Sequence, residues 1–293
     1  MGGRAASAAT TVSRLIDEGD LGRGVTSSTK LVKTAAGFDA LAVVAGGGSG
    51  MLRGEVFDMD LHPTDPTRIL LACSDGRIGY ASRLGETLVP DSFMPPNDVE
   101  AGGMTAAAAA LIPPSLSNAP ATAVAFNPFL PTWFVAGFGD GRVALYATTH
   151  ALPAKAWTAG SGAAEPSTAS ASAAGRPAVV AVRWLPTRPA AFVAVDERGG
   201  VTVWDLLASP ATPVGRVELS GSWARAAASA DAGAANAVVG VDMGGGGDLC
   251  PRTVALVATF TSGTTAIATF HPAFVTPRVG ETAAARDAFA ALL

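Results

Sequence analysis

The stretch PAVVAVRWLPTRPAAFVAVDERGGVTVWDLL, Pro177 to Leu207, decides how the rest of the chain is read. It holds three short apolar runs, Val179–Trp184, Ala191–Val195 and Val201–Trp204. Runs of that length, rich in Val, Phe and Trp and parted by turn residues, predict an antiparallel meander. Pro186 and Pro189 have no backbone N–H to give to a ladder, which places them in the first connection. Gly199 and Gly200 supply the positive φ that a tight second connection needs. The run closes on Trp204-Asp205.

The same order occurs twice upstream. After Val56, the run FDMDLHPTDPTRILLACSDGRIGYAS predicts a strand, a Pro63-x-x-Pro66 turn, a strand Ile69–Cys73, an Asp75-Gly76 hairpin and a strand Arg77–Ala81. From Thr122, TAVAFNPFLPTWFVAGFGDGRVALYA predicts a strand, Pro128-x-x-Pro131, a strand Trp133–Gly137, Asp140-Gly141 and a strand Arg142–Tyr146. Twelve residues separate Pro63 from Asp75 and Pro128 from Asp140, and the Gly-Gly hairpin after Pro186 falls about one residue later. A recurring strand, proline turn, strand, Asp-Gly hairpin and strand is the signature of a propeller blade, and Trp-Asp is the dipeptide of WD repeats. The fold class is therefore all-β, a WD-repeat β-propeller. The first prolines of the units are 65 and 58 residues apart, against about 40–45 for an ordinary WD repeat. The excess lies in 84–120 and 159–176, which are rich in Ala, Ser, Pro and Gly and read as loops inserted between blades.

Outward from these units the pattern weakens. Residues 1–28 are small, polar and Gly-rich and read as poorly ordered, with a helical turn at Val12–Ile16. Thr29–Thr34 and Asp39–Ala45 read as strands, with Gly46–Gly50 a turn. Val214–Leu219 reads as the outer strand of the unit that ends on Trp204-Asp205. Ala237–Met243, Thr253–Phe260 and Thr264–Phe270, with a Ser262-Gly263 hairpin and a Gly244–Gly247 link, make a degenerate last blade. The partial propeller spans 29–277, and 278–293 is a C-terminal helix, short enough that it must dock or fray. Three clear blades, one degenerate blade and part of another make four to five, an incomplete ring. An open arc leaves two sheet faces bare. A face of order 500 Å² withholds roughly 12 kcal/mol of burial, comparable to the net stability of a domain, about 5–15 kcal/mol. The expectation is that the chain is the C-terminal portion of a longer propeller protein.

Composition excludes several classes. Hydrophobic residues are 49% of the 293 and charged residues 15%, enough for a core, and the formal charge of −4 gives no basic footprint for nucleic acid or anionic membrane. The most apolar windows, such as Leu41–Ala45 and Ala106–Ile112, are too short to cross a bilayer, and Met1–Leu21 has no signal-peptide core. Cys73 and Cys250 read as reduced thiols of an intracellular protein.

No constellation for catalysis stands out. His62, His150 and His271 have no second His or Cys nearby to complete a metal set, although Asp60 and Asp65 flank His62, and they read as turn or strand-end residues. Gly46–Gly50 lacks a Gly-Lys-Ser/Thr and the GxGxxG spacing. The Pro-x-x-Pro pairs read as turns, and Asp75 and Asp140 as acceptors for local backbone N–H groups. Trp133, Trp184 and Trp204 are expected to pack between blades; Trp157 and Trp223 lie nearer loops, where partner contact is slightly more plausible but still the minority reading. The chain reads as not an enzyme. No catalytic, cofactor-binding or metal-binding residue is assigned, no cofactor is expected, and protein-binding residues are left open.

Val180-Ala181-Val182-Arg183-Trp184, Pro186-Thr187-Arg188-Pro189, Phe192 and Val203-Trp204-Asp205-Leu206-Leu207 resemble the C-terminal blades of the dynein intermediate chain family, with Leu185 where the family phrase has Ser. An Asn127-Pro128 blade ending in Gly139-Asp140-Gly141 comes first, then a connector from Pro153 to Trp157, the Thr-Arg-Pro blade with Ser209 and Pro213-Val214, a degenerate blade and a helix. That order resembles the intermediate chains of cytoplasmic dynein 2, the motor of retrograde intraflagellar transport, and among them the WD-repeat-protein-60 type. The resemblance implies a non-catalytic subunit whose propeller binds the dynein heavy chain. It implies a second intermediate chain and light chains in the wider complex, and a place in the cytoplasm and cilium or flagellum. The family's N-terminal light-chain-recruiting extension is not in these residues, so light-chain binding is not carried over. An axonemal dynein intermediate chain and a generic WD-repeat adaptor, such as a ubiquitin-ligase substrate receptor, are the alternatives.

Overall fold

The computed structural model describes residues 33–34, 37–38, 55–84, 86, 88–96, 119–159, 176–219, 237–245 and 253–293. A two-residue ladder joins β1 (Lys33–Thr34) to β2 (Gly37–Phe38). The rest of the expected strand Thr29–Thr34 and all of Asp39–Ala45 lie outside the described residues, as do the N-terminal 28 residues, Gly46–Gly50, Trp223 and Cys250.

Four antiparallel sheets follow, each a meander whose strands pair in chain order. Blade 1 is β3 (Val56–Leu61), β4 (Arg68–Cys73), β5 (Ile78–Ser82) and β6 (Ser92–Phe93). Blade 2 is β7 (Ala121–Phe126), β8 (Trp133–Phe138), β9 (Arg142–Ala147) and β10 (Lys155–Thr158). Blade 3 is β11 (Val179–Trp184), β12 (Ala191–Asp196), β13 (Gly200–Asp205) and β14 (Gly215–Glu218). Blade 4 has three strands, β15 (Val238–Gly245), β16 (Val254–Phe260) and β17 (Thr265–Thr269). The architecture is a β-propeller arc of four described blades.

The repeat is visible in backbone detail. Every first strand has a register shift at the same place, at Val56/Asp58, Ala121/Ala123, Val179/Ala181 and Val238/Gly240. Every hairpin is closed the same way. Gly76 N–H donates to Cys73 O, Gly141 to Phe138 O, Gly199 to Asp196 O and Gly263 to Phe260 O. All four glycines have φ between 77° and 85°, the left-handed conformation of the last residue in a three-residue hairpin loop. The third hairpin is not longer than the others. Gly76, Gly141 and Gly199 each fall thirteen residues after Pro63, Pro128 and Pro186. What changes is the acid. Asp75 and Asp140 accept the N–H groups of Arg77 and Arg142, and in blade 3 Asp196 does this work for Arg198 and Gly200.

One inserted-loop expectation is corrected at its edge, and the connector before the other insertion holds a strand. Ser92–Phe93, inside 84–120, is the fourth strand of blade 1, and Phe93 is fully buried opposite Ile78. The connector from Pro153 to Trp157 contains β10, with Trp157 opposite Val143. Sequence reading missed both because strands of two to four residues carry too little periodicity. The remainder of both insertions, 97–118 and 160–175, lies outside the described residues.

Blades stack face to face through three cores. Leu70, Ile78, Tyr80 and Phe93 of blade 1 meet Val124, Phe126, Phe134 and Tyr146 of blade 2. Trp133, Val135, Leu145 and Trp157 of blade 2 meet Trp184, Phe192 and Trp204 of blade 3. Val193, Val195, Val201 and Val203 of blade 3 meet Val254, Leu256 and Phe260 of blade 4. The contact is close enough at Gly137 that a Cβ there would collide with the Val179 side chain. Two helices close the chain, the one-turn α1 (Pro272–Val275), which the sequence did not signal, and α2 (Glu281–Ala290).

Candidate interaction surface

The residues that looked most like chemistry hold turns. His62 Nδ1 accepts the Asp65 N–H at 3.1 Å, the role Asn127 Oδ1 plays for Phe129 and Leu130 in blade 2. Partial burial, then the charge of Arg68, lowers the His62 pKa. His271 Nδ1 accepts the Ala273 N–H and caps α1, and His150 pairs with Thr149. Asp60, which flanks His62, accepts the Phe126 N–H across the blade interface at 2.7 Å, and Asp58 accepts that of Val124 at 3.1 Å. Among the described residues no group of three His, Cys, Asp or Glu side chains is placed to hold a metal ion. Burial raises the Cys73 thiol to about 11, far from the range of a reactive thiolate.

Trp133, Trp184 and Trp204 pack between blades, as expected. Trp157 does too, which sets aside the minority reading of it as a partner contact. It is 7% exposed, lies against Phe192 and Trp204, and its indole N–H donates to Pro210 O at 2.9 Å.

Arg188, of Thr187-Arg188-Pro189, and Asp205, of Trp204-Asp205, are both buried and meet at 2.9 Å. Glu281, the first residue of α2, completes the group, with its Oε1 2.7 Å from Arg188 Nε. Arg188 Nη1 also donates to Phe274 O, and its guanidinium lies 5.3 Å from the centre of the Phe274 ring. Burial lowers the Arg188 pKa, but the Glu281 hydrogen bond and the two carboxylates more than offset it and hold it above its ordinary value. This ion group ties the proline turn of blade 3, the end of β13 and both helices together. Phe289 then seats α2 on the blade 2–3 seam, 5.2 Å from Trp133 and 6.2 Å from Trp184, ring centre to ring centre.

One face of the arc is left for contact. Call the face of a blade that meets its predecessor the leading face. Repeat position by repeat position, Leu61 corresponds to Phe126 and Trp184, and Met59 to Val124 and Val182. The blade 2 and blade 3 residues are at most 6% exposed, whereas Phe57, Met59 and Leu61 are 53%, 63% and 47% exposed. The other end differs. On blade 4, Thr259, Thr265 and Ile267 replace the residues that make the trailing faces of blades 1 to 3 apolar, Ala72, Ile78 and Tyr80 in blade 1. The expectation of two bare apolar faces is therefore corrected. The leading face of blade 1 is apolar, and the trailing face of blade 4 is half threonine. An exposed apolar sheet face of this kind marks an interaction site. No described helix is long and apolar enough to cross a membrane.

The geometry can be set beside known proteins. No family profile matches the chain. Cytoplasmic dynein 2 intermediate chain 1 of Homo sapiens is 26% identical over 166 residues, 57% of this chain and 13% of that protein. Its Mus musculus counterpart is 29% identical over 219 residues, 75% of this chain and 18% of that protein. The chain thus spans less than a fifth of the length of these relatives. Among solved structures, Chaetomium thermophilum Sqt1 bound to the N-terminus of the ribosomal protein L10 superposes with a TM-score of 0.43 at 16% identity, over 74% of this chain and 43% of that one. In sequence, the chain is similar to cytoplasmic dynein 2 intermediate chain 1.

Proposed function

We propose that the chain is part of a non-catalytic intermediate-chain subunit of the cytoplasmic dynein 2 motor, its propeller binding the dynein heavy chain in retrograde intraflagellar transport and cilium assembly. The observation that carries this reading is the likeness to cytoplasmic dynein 2 intermediate chain 1 over 75% of the chain. Two structural facts support it. The histidines and carboxylates that drew notice in the sequence are engaged in turns, caps and blade seams, and the arc carries an apolar leading face suited to protein contact. The partners of this reading are the heavy chain, a second intermediate chain and light chains through the wider complex, and its place is the cytoplasm and cilium.

Affinity purification of the tagged protein from ciliated cells tests it. Recovery of dynein heavy chain together with intraflagellar transport proteins is the expected result, and loss of the protein should give short cilia with material stalled at the tip. Recovery of outer- or inner-arm axonemal proteins, with cilia of normal length that do not beat, overturns it. Recovery of ubiquitin-ligase subunits without dynein does the same.

A further inference from the structure

Ser or Thr precedes Pro at three places in the chain, Ser209-Pro210, Thr212-Pro213 and Thr276-Pro277. That dipeptide is the minimal acceptor of proline-directed protein kinases. The first two lie in one turn, where the Ser209 and Thr212 hydroxyls bond each other at 2.8 Å and Ser209 is half-buried. Thr276 sits differently. It opens the link between α1 and α2, and every residue of that link, Thr276, Pro277, Arg278, Val279 and Gly280, is exposed. Its φ of −70° and ψ of 122° are those of extended backbone, the shape in which a kinase cleft takes its substrate. Pro277 stops α1, as a proline after a helix end does. A stop needs no hydroxyl before it, and α1, a single turn, is too short to hold by itself.

The Thr276 hydroxyl donates to Pro272 O at 2.7 Å, and the Thr276 N–H donates to the same oxygen. Phosphorylation removes the hydroxyl proton, so the ester oxygen meets the carbonyl as acceptor against acceptor, and a charge of about −1.5 to −2 arrives with it. Beside this link lies the buried ion group. Counted with Arg278 it balances, with Arg188 and Arg278 set against Asp205 and Glu281. Arg278 is the loose member, its side chain 60% exposed and 3.7 Å from Asp205 Oδ2. Its backbone N–H donates to Glu281 Oε2 at 2.9 Å, and the Glu281 N–H donates to its carbonyl at 3.1 Å. Two residues span at most about 7 Å, so a phosphate on Thr276 competes with Asp205 for the Arg278 guanidinium. That competition takes positive charge from the buried carboxylates at the start of α2, and a buried charge left short of its partner is strongly destabilising.

We propose that Thr276 is a phosphorylation site for a proline-directed kinase, and that its phosphate releases α2 from the blade 2–3 seam. The kinase brings ATP. Thr276 Oγ1 attacks the γ-phosphorus, the bond from that phosphorus to the β–γ bridging oxygen breaks, ADP leaves, and the hydroxyl proton passes to the catalytic carboxylate of the kinase. Release uncovers Trp133 and Trp184, which Phe289 covers in the seated state. A charge added at one exposed residue is thereby read out as a change of surface at the seam.

The test incubates the full 293-residue chain, and separately a peptide of residues 271–281, with ATP and a cyclin-dependent or a mitogen-activated protein kinase. Peptide mass mapping should place a phosphate on Thr276 in both. Brief trypsin treatment should then cut the phosphorylated chain after Arg286, within α2, roughly tenfold faster or more, because proteolysis follows the population of the open form. Its tryptophan emission should move to the red. Thr276→Val should keep both readouts at their untreated values after the same incubation. A chain left unmodified at Thr276 while the peptide is modified overturns the proposal, since the folded link is then closed to a kinase. A peptide that neither kinase modifies does the same. Phosphate on Thr276 that leaves cleavage and emission unchanged overturns the release of α2, and so does a Thr276→Val chain that responds as the wild type does.

Discussion

Arg188 shows how one residue joins parts of the chain far apart in sequence. Its charge is fully buried and rests on Asp205 and Glu281, each under 5% exposed. Removing one member of a buried ion group strands the others, which typically costs about 3–5 kcal/mol. Arg188→Met should lower stability by that order in chemical denaturation, and an unchanged unfolding midpoint would remove the group's structural role. Asp60 makes a pH prediction. Burial raises its pKa above the ordinary 3.8, outweighing the Phe126 and Leu61 N–H groups that lower it. The folded state therefore holds this proton longer than the unfolded state. Its contribution is most favourable at low pH and is lost as pH rises from about 4 through the raised value. Asp60→Asn keeps an acceptor for the Phe126 N–H and cannot titrate. The fall in stability with rising pH over that window should be shallower in this variant, measured as thermal midpoint against pH.

At the scale of elements, the hairpins and the C-terminal helix carry the weight. Gly199 has φ 85°, where an L side chain costs about 1–2 kcal/mol. Gly199→Ala should destabilise by that amount, with urea unfolding as the measure. Helix α2 has ten residues, too few to persist alone, and it is held by Glu281 at one end and Phe289 at the other. Phe289→Ala should cost about 3–5 kcal/mol and shift tryptophan emission to the red as water reaches Trp133 and Trp184. If emission and stability both stay unchanged, α2 is not seated on the blade 2–3 seam.

Across the whole molecule, the arc has one apolar end and one end that is partly polar. The repeat makes this testable, since Leu61, Phe126 and Trp184 occupy the same position in successive blades. Phe126→Ala and Trp184→Ala should each cost about 3–5 kcal/mol. Leu61→Ser should stay within about 0.5 kcal/mol, as surface changes do, and lower the binding of a hydrophobic dye. A large loss of stability in Leu61→Ser would mean that the leading face of blade 1 is covered in solution.

The chain's own order of residues determined the blades. Strand-length apolar runs, prolines unable to enter a ladder and glycines needed at positive φ are local constraints, and their spacing placed Val179–Trp184, Trp133–Phe138 and Val254–Phe260 within a residue or so. The likeness to the dynein intermediate chains was legible for the same reason, since it rests on phrases of adjacent residues. Tertiary structure alone decided which surfaces are covered. It buried Trp157, paired Arg188 with Asp205 and Glu281, and left Leu61 open where Trp184 is closed. Each depends on what lies across a seam, and contacts between residues distant in the chain leave no period along it.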